Sequence, residues 1–119
     1  MSQEAALVET ELVRLPEMLE EATEEQGELA IAAAHAQADA KLAYAMAYVQ
    51  VEGKNADDRD SQAILKVVAV DGVEMTVSDW QRRRFLAEAV RDSKKEQCYS
   101  IRANLGAARS LNANTRAII

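Results

Sequence analysis

The sequence predicts an all-α fold: a long antiparallel helical hairpin, coiled-coil-like, that assembles as an oligomer. Three observations lead there. One proline and four glycines in 119 residues leave long stretches without a helix breaker. Apolar residues make up 49% of the chain but aromatics only 4%, so large core side chains are scarce for a compact monomer, while the abundant alanines suit close helix packing. Two long segments also repeat apolar or small residues in three- and four-residue steps, on either side of a polar break. At this length the chain is one helical domain, 1–119, or an extended protomer whose core other copies complete.

Taken in order, residues 1–14 read as an N-terminal arm, a short helix with Leu7, Val8, Leu12 and Val13 inward. Pro16 reads as the first residue of a long helix, because its missing N–H costs nothing there and Glu17, Glu20 and Glu21 suit the positive end of the helix dipole. This helix covers 15–53, with Leu15, Leu19, Ala22, Leu29, Ala33, Ala36, Ala40, Ala43 and Ala47 on its packing face. At 1.5 Å per residue it is about 55 Å long and needs an equally long partner. Gly53 reads as its C-cap, 54–60 as a turn, and Asn55 as the N-cap of the next segment.

Residues 64–77 admit two conformations. The runs ILKVVAV and VEMTV flank Asp71-Gly72, a strong short-range β-hairpin signal. Read as helix instead, Ile64, Val67 or Val68, Asp71, Met75 and Ser78 share a side, and Gly72 costs about 1 kcal/mol relative to alanine. Helix is the expectation, because a hairpin would interrupt the partner that the first helix needs. The second long helix then covers 61–112, with Ser78 as a local N-cap and Asp79 in the first turn there, and 113–119 form a tail.

Charge is strongly polarised. Residues 1–80 carry 5 Lys/Arg against 17 Asp/Glu, whereas 81–119 carry 9 against 3. On a straight helix, Arg84, Arg91, Lys95, Arg102 and Arg109 fall within a stripe about 40° wide, a candidate track for phosphates, and Leu86, Val90, Ile101, Leu105, Ala108 and Leu111 turn to another side for packing. The candidate nucleic-acid-binding residues are Arg82, Arg83, Arg84, Arg91, Lys94, Lys95 and Arg102. The competing reading of this row is a solvated face that keeps the protein in solution. The overall charge of -6 argues against a dedicated duplex-DNA binder. Trp80 and Phe85 read as anchors against the first helix, with base stacking the alternative.

Other chemistries lack their residues. The glycines are dispersed, so there is no phosphate-binding loop. His35 has no cysteine near it and reads as packed or solvent-facing. Asp57, Asp58 and Asp60 lack the spacing of a calcium loop. Glu20/Glu21 and Glu24/Glu25 look like a charged helix surface rather than a catalytic pair. No nucleophile has a base beside it, so neither an enzyme nor a cofactor nor a metal is expected. Cys98, the single cysteine, reads as a small packed residue. The start MSQEAALVETE is unlike a signal peptide, and no apolar run is long enough to span a membrane, so a cytoplasmic protein is expected.

The stretch AQADAKLAYAMAYVQVEG, the polar break, EMTVSDWQRRRFLAEAVRDSKKE and SIRANLGAARSLN together resemble small phage proteins of the UvsY-type recombination mediators, over roughly residues 15–112. The resemblance implies a homo-oligomer in the host cytoplasm that binds single-stranded DNA and helps load a recombinase onto strands covered by single-strand-binding protein. The row Arg84, Arg91, Lys95 and Arg102 would take the DNA-binding role. The alternative is a structural or adaptor coiled coil that binds a protein partner and no nucleic acid. In it, Glu17, Glu21, Glu24 and Glu28 neutralise the basic row, beginning at Arg102 and Arg109.

Overall fold

The β-branched runs around Asp71-Gly72 form a hairpin, not the helix expected across 64–77. The computed structural model describes residues 3–118, with side chains as far as Asn114. Its elements are α1 (Gln3–Tyr48), α2 (Ala56–Ala63), β1 (Val67–Val70), β2 (Val73–Thr76) and α3 (Val77–Ile118). The fold is an all-α helical hairpin of α1 and α3 that carries a small two-stranded antiparallel sheet. The chain divides into two compact units, Leu29–Arg91 and the combination of Met1–Glu28 with Asp92–Ile119.

In the unit Leu29–Arg91, the hairpin pairs Val70 with Val73 across a two-residue turn. Asp71 and Gly72 there have φ of 51° and 80°, the left-handed conformation that Asp-Gly tolerates and that matches the twist of paired strands. Burial alternates along β1, with Val68 and Val70 inward and Val67 and Ala69 outward. The inward valines join Ala40, Ala43, Ala47, Val51, Ala63, Val77 and Trp80 in one core. Trp80 is 1% exposed, and its indole Nε1 donates to the Val68 carbonyl at 3.1 Å. The hairpin does not rob α1 of a partner: α1 ends at Tyr48, and the sheet itself covers its last small residues. Two further bonds, from Val77 N–H to the Lys66 carbonyl and from Ser78 N–H to the Ile64 carbonyl, lock the strands onto the start of α3.

Three boundaries differ from expectation here. The segment 54–60 is not only a turn, because Asn55 caps α2 by accepting from the Asp58 N–H at 2.8 Å; the cap itself is as expected. The N-cap of α3 is Thr76, whose Oγ1 accepts from Asp79 N–H at 3.1 Å, ahead of the Ser78 expected in that role. Gly53 lies past the end of α1 and does not cap it. A β-carbon at Gly53 would meet Arg59 N at 2.9 Å, so glycine permits the close approach of α2, and the Gly53 carbonyl accepts from Arg59 Nε.

In the other unit, Leu15 and Ala22 of α1 pack with Cys98, Ile101, Leu105 and Ala108 of α3. Cys98 sits there as a small buried residue. Of the arm expected over 1–14, residues 3–14 belong to α1, which runs through Pro16 instead of starting at it, and residues 1 and 2 lie outside the described residues. Leu7 and Val13 point outward, while Val8 and Leu12 are half-buried. At the far end α3 continues through the expected tail to Ile118, and Ile119 lies outside the described residues.

Candidate nucleic-acid interface

Which basic residues reach solvent depends on the phase of α3. Its inward positions repeat every seven residues: Val77, Arg84, Arg91, Cys98 and Leu105 in one row, and Trp80, Ala87, Lys94, Ile101 and Ala108 in the other. None of these is exposed. A seven-residue repeat drifts by about 20° per heptad against a straight helix. The stripe drawn for a straight helix therefore begins on the packing side, at Arg84 and Arg91, and reaches solvent only at Lys95, Arg102 and Arg109. By the same drift Ile101, Leu105 and Ala108 are buried as expected, but Leu86, Val90 and Leu111 are exposed.

In the unit Leu29–Arg91, Arg82 and Arg83 are exposed and Arg84 and Arg91 half-buried. Arg82 lies 3.8 Å from Asp79, and 73% of its side chain is open to solvent, a contact worth little. Arg83 lies 5.5 Å from the centre of the Trp80 ring. Arg84 Nε donates to Glu88 at 3.0 Å, and its guanidinium lies 6.0 Å from the centre of the Phe85 ring, within the range of a cation–π contact. Phe85 is 61% exposed, so unlike Trp80 it does not anchor α3 on the first helix.

No protein-family model matches the chain, and neither a curated protein nor a solved structure is significantly similar to it.

The second unit carries Lys94, Lys95 and Arg102. Lys94 is half-buried and pairs with Glu25, whereas Lys95 and Arg102 are exposed. Arg102 lies 5.9 Å from the ring centre of Tyr99, which is 52% exposed. Lys95, Tyr99 and Arg102 succeed each other at four- and three-residue steps, so one outward face alternates cation, ring and cation. Tyr99 is absent from the residues expected at the interface, although that spacing is visible in the sequence. The pairing of Glu17, Glu21, Glu24 and Glu28 with Arg102 and Arg109, which belongs to the alternative adaptor reading, is not seen within the chain among the described residues. Among the described residues those four acids are exposed and form no ion pair; Glu25 is the one that turns to α3.

The acidic cluster of α2 has structural roles. Asp58 Oδ2 accepts from Lys54 N–H, and Asp60 Oδ1 accepts from the Tyr44 hydroxyl at 2.5 Å, tying α2 to α1. That hydrogen bond, followed by desolvation and the negative charge of Asp60, holds the Tyr44 hydroxyl above its usual pKa. Tyr44, Asp60, Ala40, Lys41, Gln81 and Arg84 line an open groove. His35 is solvent-exposed on α1. No helix of the described residues is long and apolar enough to cross a membrane.

Proposed function

We infer that the chain is a non-enzymatic accessory protein that holds single-stranded nucleic acid on the outward basic residues of α3. The observation that carries this is the segregation of exposed charge. Among the described residues, Arg82 and Arg83 in one unit and Lys95 and Arg102 in the other are exposed on α3, and Arg82 has a weak contact with Asp79; α3 also exposes Asp92 and Glu96, but most of the exposed acids lie on α1 and α2. Guanidinium and ammonium groups so placed hold backbone phosphates without reading sequence. Exposed Phe85 and Tyr99 beside them favour a single strand, whose bases are free to stack, over a duplex. Oligomeric copies would present the residues repeatedly and gain avidity. The mediator role, with a recombinase and single-strand-binding protein as partners, extends the same reading.

Arg84, Arg91 and Lys94 are assigned to packing rather than to phosphate contact. The test is a titration of labelled oligothymidine at two salt concentrations. Replacing Arg82, Arg83, Lys95 and Arg102 together by glutamate should weaken binding more than about tenfold at low salt and shrink the salt slope by about 0.7 per lost phosphate contact. A folded variant that binds as tightly as the parent would sink the reading.

The adaptor reading draws on the pairs Lys94–Glu25 and Arg84–Glu88, which show acids already consuming part of the basic set. Absence of binding by the parent at low salt would favour it.

A further inference from the structure

We propose that the Phe85 ring is a stacking platform for one unpaired nucleobase, with Arg82 and Arg83 holding the adjoining phosphates. This rests on the single-strand reading above and adds a defined base subsite, with Phe85 as its platform and its own phosphate partners.

The ring is exposed, at 61%, and has a tethered cation near it. Glu88 accepts from Arg84 Nε at 3.0 Å, and both side chains are largely covered, 29% and 24% exposed. The tethered guanidinium carbon lies 6.0 Å from the centre of the Phe85 ring, at the outer limit of a cation–π contact. Phe85 belongs to a shallow hollow with Ser78, Gln81, Arg82 and Leu86. A flat apolar ring, a hydroxyl, an amide and a guanidinium are the groups that receive a splayed base: a face to stack on and donors and acceptors at its rim. Charge complementarity selects this occupant. Arg82 and Arg83 are exposed in the same turn as Phe85, and among the described residues the acid in contact with them is Asp79, 3.8 Å from Arg82, so the face is cationic as well as aromatic. An apolar protein surface would have to desolvate these guanidiniums without replacing their hydration.

The experiment compares oligothymidine with an abasic strand of the same length, for the parent, Phe85→Ala and Phe85→Tyr, with oligomer size measured by sedimentation. Phe85 is exposed, so the alanine variant is expected to keep the parent's circular dichroism. The parent should prefer oligothymidine. Phe85→Ala should weaken oligothymidine binding by at least about fivefold, the lower end of the range for losing one stacked base, and leave the abasic strand unaffected; Phe85→Tyr should restore the preference. Equal binding of both strands by the parent would overturn the platform and leave the charge-based reading standing. No binding of either strand would overturn both. A smaller oligomer in Phe85→Ala with unchanged strand preference would overturn the platform and make this face a protein contact.

Discussion

Two tyrosines and a phenylalanine show how aromatic side chains take different work from their surroundings. Tyr44 donates to Asp60 at 2.5 Å and so links α1 to α2, whereas Phe85 and Tyr99 lie open beside arginines. The Tyr44 hydroxyl has its pKa raised, first by that hydrogen bond. A group with a raised folded-state pKa contributes stability that is present below its unfolded value, here 10.0, and is lost as pH rises beyond it through the folded value. Thermal unfolding of the parent and of Tyr44→Phe should therefore differ at neutral pH, and the difference should shrink as pH rises past about 10. A gap that is constant across that range would show the hydroxyl to be irrelevant to the link. This tie was not legible in the sequence, since sixteen residues separate its partners and nothing in either local pattern points to the other.

Elements show where local signals prevail and where they yield. Asp-Gly between β-branched runs specified a hairpin on local grounds, and the hairpin forms because its inner face, Val68 and Val70, has a core to enter. The context argument for helix failed because it assumed that only another helix could cover alanines; two short strands do so as well. Pro16 failed in the opposite sense. As a start signal it was sound, yet α1 runs through it, carried by burial of Leu15 and Ala22. A proline within a helix lacks one backbone donor and crowds the preceding turn. Pro16 is exposed, so Pro16→Ala should stabilise the protein, by up to about 3 kcal/mol if the helix is otherwise unchanged. A chemical-denaturation midpoint that does not rise would mean that α1 already accommodates the ring without cost.

At the scale of the whole chain, the governing fact is that acids and bases occupy different segments but meet selectively. Lys94 pairs with Glu25, while Glu17, Glu20, Glu21, Glu24 and Glu28 stay exposed. Lys94→Glu should destabilise, and adding Glu25→Lys should recover about 0.5–1 kcal/mol of it as coupling energy. The swapped pair should bind oligothymidine like the parent, because Lys94 serves packing; weaker binding would return Lys94 to the phosphate-contacting set. Composition and periodicity by themselves determined that the chain forms two long helices and that Leu15, Ala22, Ala33, Ala36, Ala40, Ala43 and Ala47 line the inner face of the first, because helix propensity and amphipathic spacing are properties of near neighbours. Only the tertiary structure decided which arginines of α3 face solvent and which of the two conformations open to 67–76 prevails. The reason is the same in both cases: packing sets the seven-residue phase of a helix against its partner and supplies the core that a hairpin needs, and neither is written within a single turn of sequence.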